Sequence, residues 1–183
     1  EPKLLGRGTY GEVFHYTNQD LVGKKFIDAK GSDIYREIAI YQILIDSHCT
    51  PEMLHFDLTS AEKVIYFEHY PYTLDAVFGN PNFSIYECFY DLLRCLELLR
   101  SQGILHLDLK PGNILVNKDM KHALLIDFGI AEVDRTINQN KPKDNAKQTP
   151  NFRSPEMCLN RMNKIFDTYS YKADVYSLGL MLL

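Results

Sequence analysis

The chain has 183 residues, of which 45% are hydrophobic and 24% charged, and a net charge of −4. This composition is typical of a globular protein with one large domain or two small lobes. The acidic balance argues against a protein built to clamp nucleic acid. No apolar run approaches the roughly 20 residues that a membrane-spanning helix needs. We therefore expect neither nucleic acid nor a membrane as a partner.

The cysteine pattern bears on the cellular compartment. None of the four cysteines belongs to a C-x-x-C pair, and their spacing fits neither a zinc site nor a disulfide framework. They are Cys49, Cys88, Cys95 and Cys158. Free thiols are typical of a reducing compartment, and no signal peptide is visible. We therefore expect an intracellular protein, cytoplasmic and/or nuclear.

A glycine-rich pattern, G-x-G-x-x-G-x-V, lies within residues 4–13. Its members are Gly6, Gly8, Gly11 and Val13. Glycine lets backbone amides approach phosphate oxygens where a Cβ would collide. Residues 13–16 then alternate like a strand, residues 17–20 indicate a turn, and residues 21–27 indicate a second strand. A dinucleotide-binding turn would open a helix instead. The pattern predicts a glycine lid over a nucleotide triphosphate, or else an ordinary Gly-rich hairpin.

The second strand of this hairpin carries Lys24 and Lys25. Neighbouring side chains of a strand face opposite ways, so we expect one lysine to point towards the phosphates. We favour Lys25, because Gly23 would lie on the same face and leave room for a flat base. The turn should also place Gly23 nearly opposite Val13. Lys24 remains the alternative, and the other lysine is expected to be solvated.

A helix is predicted over residues 32–45, where apolar residues recur at a helical period. Ser32 or Asp33 would be its N-cap. Glu37 lies on this helix. It is either an ordinary surface charge or an inward partner of Lys25.

The rest of the chain alternates short strands with longer helices. Short strands are predicted at 53–58, 63–67, 114–116 and 123–126, a linker at 68–71, an exposed loop at 131–148, and helices from 85 to about 103 and from 175 to 183. The pattern Ser84-x-x-Glu87 predicts a capping box at the start of the first of these helices.

The central stretch of the sequence is His106-Leu-Asp-Leu-Lys-Pro-Gly-Asn113, followed by Asp127-Phe-Gly129. An aspartate can accept a proton from a substrate hydroxyl. An asparagine and a second aspartate can hold the magnesium that neutralises phosphate charge. These residue types at this spacing indicate phosphoryl transfer.

Taken together and in this order, the motifs resemble those of a eukaryotic-type protein kinase over essentially the whole chain. The resemblance implies an α+β, two-lobed fold, with a small antiparallel β-sheet and one helix in the N-lobe and a mainly helical C-lobe. The N-lobe would span residues 1–69 and bind ATP, and the C-lobe would span residues 70–183. The family's domain continues further, so we expect this C-lobe to be truncated.

The resemblance also implies roles for individual residues. Asp108 would be the catalytic base, Lys110 would support the transferring phosphoryl group, Thr149 would pack between them, and Asn113 and Asp127 would bind Mg (or Mn). Phe67 falls at the position that gates the back of the pocket. The residues expected to contact ATP are Leu5, Gly6, Gly8, Gly11, Val13, Lys25 or Lys24, Glu37 as the lysine's partner, Glu68, Tyr70 and Leu115.

Two segments resemble the serine/threonine branch of the family. Lys110 stands two residues after Asp108, and residues 149–156 resemble the T-x-x-Y-x-A-P-E segment that shapes the peptide site. Residues 174–179 resemble D-V-W-S-x-G, whose aspartate braces the catalytic loop. The resemblance therefore implies a protein substrate with a serine or threonine acceptor.

Leu107 departs from the family, which has an arginine before the catalytic aspartate. In relatives that arginine is held by a phosphate on the activation loop, and leucine cannot bind phosphate in this way. Thr136 is the only hydroxyl side chain between Ile130 and Gln148. We hypothesise that activity does not depend on activation-loop phosphorylation, so that Thr136→Ala should stay active.

Two other functions share this scaffold. A pseudokinase would bind partners without transferring phosphate, but such relatives usually lose the lysine, the base or the metal ligand, all of which are present. A small-molecule phosphotransferase would tend to lack the segment that resembles residues 149–156.

Overall fold

The computed structural model separates the chain into two compact units, Glu1–Pro71 and Tyr72–Leu183. The division falls two residues after the end predicted for the N-lobe. The residues that the structure describes are 1–8, 11–27, 29–133, 149–158 and 170–182.

The first unit is an antiparallel sheet of five strands with one helix. The elements are β1 (Lys3–Gly8), β2 (Gly11–Tyr16), β3 (Leu21–Phe26), α1 (Gly31–Ile43), β4 (Met53–Asp57) and β5 (Val64–Glu68). The strand order is β1-β2-β3-β5-β4, so the three-stranded meander β1–β2–β3 and the hairpin β4–β5 are joined by the pairing of β3 with β5.

Helix α1 buries one face, which includes Ile34, Glu37, Ile38 and Tyr41. This spacing is the helical period read from the sequence. The helix begins one residue before the predicted range, and Lys30 is its N-cap rather than Ser32 or Asp33. Asp33 instead forms an ion pair with Arg36, one turn further on.

The second unit combines helices with short strands. Its longest element is a 17-residue helix, and two of its strands form a hairpin that leads into the Asp127-Phe-Gly129 motif. The elements are β6 (Tyr72–Thr73), α2 (Leu74–Val77), α3 (Ile85–Ser101), β7 (Ile104–Leu105), a 3-10 helix (Pro111–Asn113), β8 (Ile114–Val116), β9 (Ala123–Leu125), β10 (Glu132–Val133), a second 3-10 helix (Pro150–Phe152) and α4 (Lys172–Leu180).

Helix α3 supplies much of the core of this unit. Its buried residues lie on one side and include Phe89, Leu92, Leu96 and Leu99, as the sequence periodicity predicts. Ser84 is the N-cap, but its side chain makes no capping hydrogen bond, so the predicted capping box is absent. The carbonyl of Ser84 accepts the first helical bond, from the amide of Cys88.

The fold class predicted from the sequence, α+β with a β-sheet N-lobe and helices in the C-lobe, is confirmed. Within the predicted exposed loop, residues 132–133 instead form β10, which pairs with β7. None of the helices among the described residues has the length and hydrophobicity to cross a bilayer.

The cysteines do not all match the sequence expectation. Cys88 and Cys158 are free thiols. Cys49 and Cys95 each take part in a disulfide, so the prediction that all four cysteines are free is wrong. Burial raises the pKa of the Cys88 thiol to about 12, which fits a structural role. The intracellular location therefore loses its support from thiol chemistry and stays a prediction.

Candidate active site

The carboxylate of Asp108 lies at the centre of a hydrogen-bond network in the second unit. Its Oδ2 accepts a bond from Lys110 Nζ (2.9 Å) and one from Asn113 Nδ2 (3.0 Å). Its Oδ1 accepts bonds from the Thr149 amide (3.1 Å) and the Thr149 hydroxyl (2.5 Å). Lys110 Nζ also reaches Thr149 Oγ1 at 3.2 Å. The structure thus brings four of the predicted site residues together.

Local geometry explains how three of these residues meet. Lys110 is extended and is followed by Pro111, which starts the short 3-10 helix that ends at Asn113. This turn folds the chain back, so that the Asn113 amide donates to both the backbone carbonyl (2.8 Å) and the carboxylate of Asp108. The arrangement needs only residues close in sequence.

Thr149 reaches Asp108 from a distant part of the chain. It precedes the 3-10 helix Pro150–Phe152. Ser177 of α4 anchors this segment, because its hydroxyl donates to the Phe152 carbonyl at 2.6 Å. The start of the segment that resembles the peptide site is therefore held at Thr149 by Asp108 and at Phe152 by Ser177.

A buried carboxylate braces the loop that carries Asp108. Asp174 of α4 accepts hydrogen bonds from the amides of His106 and Leu107, both at 2.8 Å. The side chain is almost fully buried, and this desolvation raises the pKa of the Asp174 carboxyl. Leu107 has a φ of 65°, a left-handed conformation that is strained for leucine. The anchor at Asp174 holds the backbone in this conformation.

His106 connects the same loop to the segment that carries Asp127. Its Nδ1 accepts a bond from the Asp108 amide (3.3 Å), so the proton belongs on Nε2, which faces the Ile126 carbonyl at 3.0 Å. The imidazole also packs on Phe128, with ring centroids 4.8 Å apart. His106 is thus a structural side chain with both ring nitrogens engaged.

The hairpin β8–β9 brings the two proposed metal ligands to one end. Ile114 pairs with Leu125, and the Ile126 amide donates to the Asn113 carbonyl at 3.0 Å. Asn113 therefore lies beside the residue that precedes Asp127. Asp127 has a φ of 66°, which is an uncommon conformation of the kind found at functional sites.

The donor chemistry of this hairpin end fits a magnesium ion. Asn113 uses its amide nitrogen for Asp108, so its oxygen is directed away from that bond. An amide oxygen together with a carboxylate is a hard-oxygen donor set of the kind that Mg²⁺ prefers, with phosphate and water as the remaining ligands.

The lysine–glutamate pair of the first unit involves Lys24. Lys24 Nζ lies 2.6 Å from Glu37 Oε1, and both side chains are largely buried, at 12% and 1% exposure. Lys25 instead pairs with Glu62 on the other face of the sheet, and this hydrogen bond raises the pKa of the Lys25 ammonium. The prediction that Lys25 faces Glu37 is therefore wrong, and the alternative, Lys24, is the residue that does so.

The error came from the register of the hairpin. Val13 pairs with Lys24, and Gly23 pairs with Phe14, one residue away from the predicted position opposite Val13. A shift of one residue moves every side chain of a strand to the other face. A Cβ on Gly23 would approach the rings of Tyr16 (2.9 Å) and Tyr66 (3.3 Å), so this position is closed by packing and leaves no space for a base.

The glycine pattern forms the hairpin β1–β2, in which Gly8 pairs with Gly11. A Cβ on Gly11 would lie 2.3 Å from the Lys25 carbonyl, so the close approach of β3 requires glycine there. A Cβ added at Gly6 would meet no described atom within 4 Å. Leu5 falls at the bulge of β1 and is 49% exposed. Of the three glycines in the pattern, Gly11 is the one that packing among the described residues of this unit explains.

Of the other residues expected to contact ATP, Glu68 and Leu115 lie in strands, and Tyr70 lies between β5 and β6. The Glu68 carboxylate accepts a bond from the Glu52 amide (2.9 Å), which ties the end of β5 to the residue before β4. Burial, with a smaller effect from Glu68, raises the pKa of Tyr70 to about 12. Leu115 is the middle residue of β8 and pairs with Thr73 and Leu124.

Comparison with known families decides the identity. The family model described as "Protein kinase domain" matches residues 1–183. The chain belongs to the protein kinase domain family. The match confirms the resemblance read from the motifs and supports a phosphotransfer kinase.

Within this kinase domain, Leu107 has an apolar environment. It is fully buried in a cluster with Leu105, Met157 and Ala173, against which Tyr171 packs. The residue that replaces the family's arginine is thus a core residue, and it belongs to the same cluster as Met157. Thr136, on which the phosphorylation hypothesis rests, lies outside the described residues.

Sequence reasoning missed two partners in this kinase domain. Glu62, which pairs with Lys25, lies in a polar stretch before β5 and carries no motif. Ser177 lies within the motif that resembles D-V-W-S-x-G, but its bond to Phe152 depends on tertiary contacts. The alternation of side chains along β3 was the feature of the sequence that could have indicated the Lys25–Glu62 pair. Using it required the correct register of the strand.

Proposed function

We propose that this kinase domain is a serine/threonine protein kinase that transfers the γ-phosphoryl group of ATP to a protein hydroxyl with the help of Mg²⁺. The observation that carries the proposal is the Asp108 carboxylate, which accepts hydrogen bonds from Lys110, Asn113 and Thr149. A proton acceptor, a cation and an oxygen ligand for metal then lie within one cluster.

Asp108 has the contacts that a catalytic base needs. Among the described residues, each hydrogen-bond partner of its two oxygens is a donor, so the group is held as an acceptor. It would orient the substrate hydroxyl and take its proton while the oxygen bonds to the γ-phosphorus and ADP leaves. Such positioned proton transfer contributes about 10²–10⁴-fold to a rate.

Lys110 supports charge as the phosphoryl group moves. Its ammonium contacts both Asp108 and the Thr149 hydroxyl, and a third of the side chain is exposed (32%). The exposed part leaves the ammonium accessible to a phosphate. Thr149 in turn fixes the carboxylate through its amide and hydroxyl, which supports the serine/threonine reading of this segment.

Asn113 and Asp127 would hold the metal, with Mn²⁺ as the alternative to Mg²⁺. When bound, the ion would neutralise negative charge on the phosphate oxygens. In the first unit, Lys24 would align the phosphates of ATP, because Glu37 fixes its ammonium at 2.6 Å. Glu37 is almost fully buried, so the pair offers one defined lysine position.

The test is a transfer assay with the full chain, ATP labelled at the γ-phosphate and peptides that differ only in having Ser, Thr or Tyr as acceptor. We expect magnesium-dependent labelling of the Ser and Thr peptides. Asp108→Ala should abolish the transfer but still bind ATP. Asp75→Ala, an exposed aspartate of the same unit, is the matched control and should behave like the wild type.

The outcomes separate the alternatives. Binding of ATP without labelling of any peptide would identify a pseudokinase. Labelling of small alcohols in preference to peptides would identify a small-molecule phosphotransferase. Exclusive labelling of the Tyr peptide would overturn the serine/threonine assignment while leaving the catalytic role of Asp108 intact.

A further inference from the structure

Three side chains that can bind a metal meet at one end of the sheet in the first unit. His15 lies on β2, Asp20 in the turn before β3, and His69 directly after β5. Tyr16 pairs with Leu21, and Leu21 pairs with Glu68. His15, Asp20 and His69 each adjoin one of these paired residues in the sequence, so they lie at the same end of the sheet. One ligand atom from each lies within 4.8 Å of the others, and this is the one group of three found among the described residues.

The distances within this group suit a small tetrahedral site. Asp20 Oδ1 lies 2.9 Å from His69 Nδ1 and 3.5 Å from His15 Nε2. Zinc binds imidazole nitrogen and carboxylate oxygen at about 2.0–2.2 Å, which sets the ligand-to-ligand distance of a tetrahedron at about 3.4 Å. The two observed separations lie on either side of this value.

A second observation concerns His15. Its Nε2 is inaccessible to solvent and makes no well-formed hydrogen bond among the described residues, because its contact with the Asp20 carboxylate is long, at 3.5 Å. A buried polar atom without a partner is costly and calls for an explanation. Asp20 is 79% exposed, so an ion could reach the group from solvent and keep a water as fourth ligand.

The two imidazoles are stacked, with centroids 3.9 Å apart and planes 22° apart. A single ion must lie near the plane of each ring that binds it, so binding requires the rings to rotate about their Cβ–Cγ bonds and open the stack. This rotation also moves the ring nitrogens, so the observed separations show that the three side chains are close enough to share one ion, and the final ligand distances form when the metal binds.

We propose that His15, Asp20 and His69 form a binding site for Zn²⁺ or a similar transition-metal ion. Imidazole ligands favour zinc over magnesium, so the site differs in metal preference from the pair Asn113 and Asp127. Three protein ligands and an open fourth position give the ion an exchangeable water. The ion would tie the β2–β3 turn to the residue after β5 and stabilise the first unit.

The experiment titrates Zn²⁺ into the full chain by calorimetry in excess Mg²⁺, and repeats the titration with Co²⁺ while recording the visible absorption of four-coordinate cobalt. We expect one ion per chain. His15→Gln, Asp20→Asn and His69→Gln should each weaken binding at least about tenfold, a loss of the size produced by perturbing a metal site.

His122→Gln is the matched control. His122 and Asp91 form a histidine–aspartate pair with the same separation, 2.9 Å, but belong to no group of three among the described residues. Zinc binding should be unchanged in this variant. Asp20→Asn is the safest of the ligand variants, because the side chain is exposed and asparagine tolerates the φ of 49° found there.

NMR spectroscopy of the wild-type protein tests the proposal without depending on whether the variants fold. Zinc should shift the imidazole NMR signals of His15 and His69 and leave those of His55 and His122 in place. Equal affinity in the three ligand variants and the wild type would overturn the proposal. Zinc-dependent shifts confined to other histidines, or no saturable binding at all, would also overturn it.

Discussion

The two units hold their candidate catalytic residues in different ways. In the second unit, Asp108, Lys110 and Asn113 lie within six consecutive residues, and one short turn brings them together. In the first unit, Lys24 and Glu37 lie 13 residues apart, on a strand and a helix. The first kind of arrangement can be read from spacing. The second depends on which face of a strand a residue occupies, and hence on register.

The strongest test of the local arrangement is Asp108→Asn. We expect kcat to fall by about 10²–10⁴-fold, because the amide cannot accept the substrate proton. ATP affinity should change little, since the variant keeps the shape of the side chain. Initial rates in a peptide phosphorylation assay measure the effect, with Asp75→Asn as control. Activity within tenfold of the wild type would remove Asp108 from the role of base.

The corresponding test of the register-dependent arrangement compares Lys24→Met with Lys25→Met. Loss of the buried, paired Lys24 should lower kcat/KM by about 10²–10³-fold, as for removal of one preorganised electrostatic contact. Lys25→Met should change it less than about fivefold, because a partly exposed ion pair contributes only about 0–1 kcal/mol. The reverse ranking in the same assay would show that the catalytic lysine is Lys25 after all.

Asp174→Ala sharpens the comparison, because it removes a distant brace from the local loop. The buried amides of His106 and Leu107 would both lose their acceptor. At about 1–3 kcal/mol for each group, the free energy of unfolding should fall by roughly 2–6 kcal/mol. Relief of the desolvation that raises the pKa of Asp174 reduces this loss.

Urea unfolding of the full chain measures the effect of Asp174→Ala. Asp174→Asn is the conservative comparison, since its carbonyl oxygen can still accept one of the two bonds, and it should fall between the alanine variant and the wild type. A loss below about 1 kcal/mol in the alanine variant would mean that the loop needs no tertiary brace.

The smallest expected effect concerns Asp57, the last residue of β4 in the first unit. Hydrogen bonds from Thr59 and Ser60 lower the pKa of this carboxyl from 3.8 to about 2. Because the folded pKa is the lower one, its stabilising contribution is present above about 3.8 and is lost as the pH falls towards 2. Asp57→Asn should abolish this part of the pH dependence.

Thermal unfolding across that pH range checks the Asp57 prediction. The difference in melting temperature between wild type and Asp57→Asn should shrink as the solution becomes more acidic. Asp119→Asn, at another exposed turn, serves as the control. A difference that stays constant with pH would contradict the assignment.

Much of the fold followed from local pattern. The helical period of α1 and α3 and the alternation of β2 and β3 predicted these elements to within a few residues, because each period places apolar side chains on one face. Cap residues were less accurate, since Lys30 caps α1 and Ser84 makes no side-chain bond. Capping depends on the conformation of the residues that precede the helix, and the same sequence is compatible with several such conformations.

By itself the sequence determined the family of this protein, the cluster of Asp108, Lys110 and Asn113, and most helices and strands. These depend on residues within a few positions of each other, whose geometry the backbone largely dictates. Only the tertiary structure decided that Lys24 faces Glu37, that Lys25 pairs with Glu62, and that Cys49 and Cys95 each take part in a disulfide. Each of these depends on strand register or on packing between distant segments, which one residue more or less in a turn can change.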